Sequence, residues 1–81
     1  MSSIGFRIAA DVVELEQKLS RYGTMGEAAK QDPKNMRRLL PKMAVLHGPD
    51  TIDLELAAMV GIRDLDHLKR LARREIKRAR R

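Results

Sequence analysis

The chain contains no cysteine and no tryptophan, and its only aromatic residues are Phe6 and Tyr22. Without cysteine there is no disulfide staple, no thiolate metal ligand and no thiol nucleophile. With two aromatics the chain can hardly build the platforms on which single-stranded nucleic acid stacks, which argues against RRM, OB-fold and cold-shock modules. No apolar run approaches the roughly 20 residues needed to span a bilayer. Residues 1–7 lack the apolar core of a secretory leader. A soluble, cytoplasmic protein is therefore expected, with no membrane partner.

At 81 residues the chain has the size of one domain, residues 1–81, able to bury about 60% of its unfolded surface. Such a thin core suggests help from a second copy, and a homodimer is expected. Ala, Leu, Met, Glu, Lys and Arg dominate, all good helix formers. The expected fold class is all-α, a small bundle of four to five helices. The net charge of +6 is unevenly placed. Residues 63–81 hold nine Lys/Arg and three acids, whereas residues 1–62 hold eight of each sign. A chain polarised in this way faces something anionic.

Residues 1–8 are expected to form an extended arm or short strand, because Ile4, Phe6 and Ile8 alternate with Ser3, Gly5 and Arg7. A helical core is expected over residues 9–62. Val12, Leu15, Leu19 and Tyr22 form one stripe of a helix over residues 9–22, ended by Gly23. Thr24, with Glu27 three residues on, caps a short second helix. Asp32-Pro33 ends it and opens a third, about 33–46, in which Pro41 removes a backbone bond and threatens a kink. After His47-Gly48-Pro49 a fourth helix is expected over about 51–60, capped by Asp50 or Thr51. Ile52, Leu54, Leu56, Ala57, Ala58, Met59 and Val60 leave it almost no polar face, so a central position is expected. Gly61 stops it and Asp64 caps the fifth.

The fifth helix is long and basic. At 100° per residue, Leu65, Leu68, Ala72, Ile76 and Ala79 share one arc with Leu71 at its edge. Lys69, Arg70, Arg73, Arg74, Lys77, Arg78, Arg80 and Arg81 cover the other half. Glu75 is the exception, an acid that points to the packing side, where it can pair with Lys/Arg in this helix or across an interface. Arginine outnumbers lysine six to two among these eight. Its forked guanidinium suits phosphates and guanine edges. A membrane surface is the poorer match, because Ala72 and Ala79 offer little to insert.

Residues 51–74, TIDLELAAMVGIRDLDHLKRLARR, place Ala57 at a small contact position, Gly61 four residues later at the turn, and Leu56, Val60 and Ile62 around them. The segment resembles a helix-turn-helix. In the usual pattern the next core positions fall on His67 and Arg70, whereas the leucines here are Leu68 and Leu71. A turn one residue longer restores the packing. The resemblance implies that Arg63, Asp66, His67, Lys69 and Arg70 face bases and that Arg73, Arg74, Lys77 and Arg78 follow phosphates. Residues 3–31, SIGFRIAADVVELEQKLSRYGTMGEAAKQ, resemble instead a ribbon-helix-helix protein, which implies a strand paired with its copy and Ser3, Gly5 and Arg7 facing DNA. Asp32-Pro33 cuts the second helix short of that pattern.

Catalytic chemistry has no support in the sequence. His47 and His67 are twenty residues apart without a carboxylate cluster at ligand spacing, so no metal is expected. Ser2, Ser3 and Ser20 lack a nucleophile motif. Glu14 and Glu16, or Asp53 and Glu55, point to different helix faces, and Gly23 and Gly26 are not followed by Gly-Lys-Ser/Thr. The expectation is a non-enzyme without cofactor, a nucleic-acid-binding protein with duplex DNA favoured, serving as a transcriptional regulator or accessory factor. Its expected binding residues are Arg63, His67, Lys69, Arg70, Arg73, Arg74, Lys77 and Arg78. Alternatives are an interaction subunit that docks its basic helix on an acidic protein partner, and RNA binding by shape and charge.

Overall fold

A computed structural model describes residues 3–80. Among them are five α-helices and no strand: α1 (Ile4–Ser20), α2 (Met25–Gln31), α3 (Pro33–His47), α4 (Leu54–Met59) and α5 (Leu65–Ala79), with a 3-10 turn at Pro49–Thr51. The fold is all-α, as composition and periodicity predict.

The arm or strand expected over residues 1–8 is corrected. Residues 1 and 2 lie outside the described residues, and from Ile4 onward the chain is helical. Ser3 is extended (φ −74°, ψ 158°), and its Oγ accepts a hydrogen bond from the Phe6 N–H at 3.1 Å. That cap satisfies one of the N–H groups a helix start leaves unpaired. The helical register then puts Ile8 on the same stripe as Val12, Leu15 and Leu19, all buried, and turns Phe6 outward. A strand would have needed a partner for its own backbone; the helix satisfies it internally.

The next two junctions follow their caps. The Thr24 hydroxyl accepts from the Glu27 N–H at 3.1 Å. Asp32 ends α2 and starts α3, accepting from the Asn35 N–H at 3.3 Å and from the Asn35 side-chain amide at 2.9 Å. The Asn35 side-chain bond is the chief reason the Asp32 carboxyl titrates below its ordinary range. Helix α3 runs through Pro41 without ending, and Pro41 is itself buried.

The hub is α3, with α1, α2, α4 and α5 packed around it. Met36, Leu39 and Leu40 are fully buried there. The expectation of a central fourth helix capped by Asp50 or Thr51 is corrected. Asp53 is the cap, accepting from the Glu55 and Leu56 N–H groups at 2.9 and 3.4 Å. Only Ala57 of the six residues in α4 is buried, while Leu54 and Met59 are 44% and 46% exposed. The apolar residues near it anchor the core from outside the helix: Ile52 precedes α4, and Val60 and Ile62 follow it, all buried.

Helix α4 ends as glycine chemistry dictates. Gly61 has φ +84°. Its N–H donates to the Ala58 carbonyl at 3.1 Å, and the Ile62 N–H donates to the Ala57 carbonyl at 3.0 Å. These two bonds form a Schellman motif, closed by contact between the apolar residues on either side; Ala57 and Ile62 are both fully buried. Asp64 then caps α5 by accepting from the His67 N–H at 2.8 Å.

Candidate nucleic-acid interface

Helix α5 packs on α3 and α1 through Leu68, Ala72 and Glu75, its buried residues, with Leu65, Leu71, Ile76 and Ala79 half-buried beside them. The two charged flanks are not equivalent. His67, Arg70, Arg74 and Arg78 recur at helical spacing on one flank, which borders α3. Arg63, in the turn before α5, joins them. Arg63, His67, Arg70, Leu71 and Arg74 line a cleft of about 150 Å³. Leu71 and Arg74 also line the adjoining hollow of about 280 Å³, together with Lys34, Arg37, Arg38 and Pro41 of α3 and Glu75 and Arg78 of α5. The shared residues make one groove with a basic helix on each side. Its lining carries seven Lys/Arg and a single acid, Glu75.

Glu75 is already engaged. It is buried and accepts a hydrogen bond from Lys42 Nζ at 2.6 Å. Asp11 approaches the same ammonium at 3.6 Å. Arg78 lies 3.5 Å from the other Glu75 oxygen, but the arginine is largely exposed and that pair is loose. Among the described residues, no carboxylate comes within ion-pair distance of Lys34, Arg37, Arg38, Arg63, Arg70 or Arg74. The groove is therefore a concentrated positive field, with low-dielectric walls at Leu71 and Pro41.

Two groove residues are held by backbone. Arg37 Nη1 donates to the Val60 and Gly61 carbonyls at 3.2 and 3.1 Å, which ties α3 to the end of α4. His67 Nδ1 accepts from the Arg63 N–H at 3.0 Å. That acceptor role fixes the neutral tautomer with its proton on Nε2. Desolvation, then the charges of Arg63, Arg37 and Arg70, hold the His67 pKa below the ordinary imidazole value, with Asp64 opposing.

Of the residues expected from the sequence, Arg63, His67, Arg70, Arg74 and Arg78 come together in the groove. Lys69, Arg73 and Lys77 are exposed on the opposite flank of α5, outside both hollows. Asp66 is exposed on that flank as well. Arg7, expected on a DNA-facing strand, instead donates to the Ala79 carbonyl at 2.7 Å, near the end of α5. Arg81 lies outside the described residues. Lys34, Arg37 and Arg38 were missed. Their signal is present in PKNMRRLLPK, which places four cations and no acid between Asp32 and Asp50. The neutral sum over residues 1–62 conceals it.

The helix pair within residues 51–74 carries its small contact residue, Ala57, fully buried, and it is Leu68 rather than His67 that enters the core. Five residues, 60–64, separate α4 from α5, more than the 3–4 of a tight helix-turn-helix. Helix α4 packs on α2 and α3, and α5 on α3 and α1. No helix among the described residues is long and apolar enough to cross a membrane. No group of His, Asp and Glu among them is arranged to hold a metal ion. Compared with known proteins, the chain matches no family model, no curated protein and no solved structure.

Proposed function

We propose that this protein binds the sugar–phosphate backbone of nucleic acid, duplex DNA foremost, in the groove between α3 and α5, and serves as a small regulator or accessory factor on DNA. The observation that carries this reading is the pairing of two basic flanks across one groove whose only acid is bonded to a buried lysine. Arg70, Arg74 and Arg78 recur every four residues, so they form a ladder with a rise of about 6 Å per step. A ladder suits a polymeric anion better than a single one. Neither aromatic residue lines the groove. Binding by base stacking is thus disfavoured against binding a duplex by charge and shape. The arginine forks that line the groove are donors of the kind with which guanine edges are read.

The test is fluorescence anisotropy with a labelled random-sequence DNA duplex at several salt concentrations. Reversing the groove (Arg38→Glu with Arg74→Glu) should weaken binding by about 100-fold or more at low salt, and the log–log salt slope should flatten by about 0.9 for each phosphate no longer neutralised. Reversing the outer flank (Lys69→Glu with Arg73→Glu) should cost less than about tenfold, through long-range charge alone. Equal losses from the two pairs would move the site off the groove. Failure of the unmodified protein to bind duplex at about 50 mM salt would remove the reading altogether. Selection from a random duplex pool then decides between a sequence reader and a charge-only binder, since only the former enriches a motif.

A further inference from the structure

The cleft at the α4–α5 end of the groove differs from the rest in holding the one titratable group whose charge can change near neutral pH. Its walls are Arg63, His67, Arg70, Leu71 and Arg74, and no carboxylate lines it. The charge of Arg37, on α3, also acts on His67, and Asp64, the α5 cap, is the one acid that does so. Three arginines lining one small cleft suit a tetrahedral anion. The imidazole at its edge is in its neutral form, with Nδ1 occupied by the Arg63 N–H and Nε2–H free to donate.

We propose that this cleft seats one backbone phosphate and that His67 takes up a proton as it does so, so that acidification tightens the grip on nucleic acid. The inference rests on the backbone-binding reading above and adds its regulation. The cations that disfavour imidazolium in the free protein are partly offset by the single negative charge of a diester phosphate seated among them. The same phosphate favours a charged imidazole directly. Adding a proton at Nδ1 displaces the Arg63 N–H from that nitrogen. One backbone hydrogen bond is then set against a full charge beside a phosphate, and the charge outweighs it. Diester phosphates and paired bases do not titrate near neutrality, so the pH response belongs to the protein. His47, the second histidine, lies at the end of α3 and outside the cleft.

The experiment measures the affinity of the full chain for a labelled random-sequence duplex at fixed salt, from about pH 8 down to about pH 5.5, a window that brackets the ordinary imidazole value. Affinity should rise severalfold across this window, toward the limit of about tenfold that a one-unit rise of the His67 midpoint gives once the pH is below both midpoints. His67→Asn keeps an acceptor for the Arg63 N–H and cannot gain a charge, so it should bind with little pH dependence. Should that variant fold poorly, NMR titration of the His67 ring in the unmodified protein, free and DNA-bound, reads the same quantity. Affinity independent of pH, a gain retained in His67→Asn, or a midpoint no higher in the complex would overturn the inference and leave groove binding intact. Absence of duplex binding at every pH would overturn both.

Discussion

Replacing Glu75 by Gln should destabilise this protein by about 3 kcal/mol, and the figure follows from what surrounds the carboxylate. Glu75 and Lys42 have side chains only 10% exposed and lie 2.6 Å apart. Removing one member of a buried pair costs about 3–5 kcal/mol, because the other is left charged and desolvated. The lower end applies here, since the half-exposed Asp11 carboxylate at 3.6 Å remains as a partial counter-charge for Lys42. A domain of 81 residues has about 4–12 kcal/mol of stability in total. At about 4–8 °C per kcal/mol, E75Q should melt about 12–24 °C lower. Thermal circular dichroism and urea unfolding both read this change. The double variant Lys42→Met with Glu75→Leu separates the pair's net worth from the cost of breaking it. It should lie within about 1 kcal/mol of the unmodified protein or above it, as buried pairs replaced by apolar residues commonly do. An E75Q melting point within a degree or two of the original would refute the claim that the pair is desolvated. A double variant as unstable as the single one would show that the pair itself, rather than its breakage, carries the energy.

Two other substitutions address the fold around the groove. Gly61→Ala should cost about 2 kcal/mol in urea unfolding, because φ is +84° and a Cβ would sit 2.7 Å from Arg37 Nη1. The guanidinium can swing away, so part of that cost is the loss of Arg37's bonds to Val60 and Gly61. The penalty should therefore shrink in an Arg37→Ala background, and a penalty below about 0.5 kcal/mol would argue against the left-handed turn. Leu68→Asp removes about 1.5–3 kcal/mol of apolar burial and places a carboxylate at a fully buried position. Loss of helical circular dichroism is expected, and a folded variant would mean that α5 packs through a different face.

Much of the local structure was legible because single residues decide it. Thr24, Pro33, Gly61 and Asp64 each supply what a helix end requires, and the structure uses each of them so. The packing face of α5 was legible from its helical period, down to Glu75 as the acid on the packing side. What failed depended on competition between signals. Alternation over Ile4, Phe6 and Ile8 reads as strand, but a helical period serves Ile4 and Ile8 equally well, and the Ser3 cap tips the balance. The apolar run at residues 52–60 reads as a central helix. Asp53 caps inside it, so Ile52 and Val60 are buried as loop anchors and the helix between them stays at the periphery. Half of the groove was hidden for another reason. A charge sum over residues 1–62 averages the cations of α3 with acids on other helices, whereas the field at a surface is set by what shares a face.

The groove's geometry also works against the fold, and that tension bears on function. Like charges about 8 Å apart near a protein surface repel by up to about 2 kcal/mol before salt screens them. Seven Lys/Arg line the α3–α5 groove. Against this stand fully buried side chains such as Met36, Leu39, Leu40 and Leu68, each contributing about 1.5–3 kcal/mol, so the helices stay packed. The one acid in the groove lining relieves little of it, because Glu75 turns inward to Lys42 and meets only the exposed Arg78, at 3.5 Å. An exposed glutamate in its place would lower the cost of folding and also weaken the field. With the acid sequestered, most of the repulsion persists in the free protein, and a polyanion that entered the groove would relieve it, so that binding would stabilise the fold. The same pair that anchors α5 to α3 thereby keeps the groove cationic.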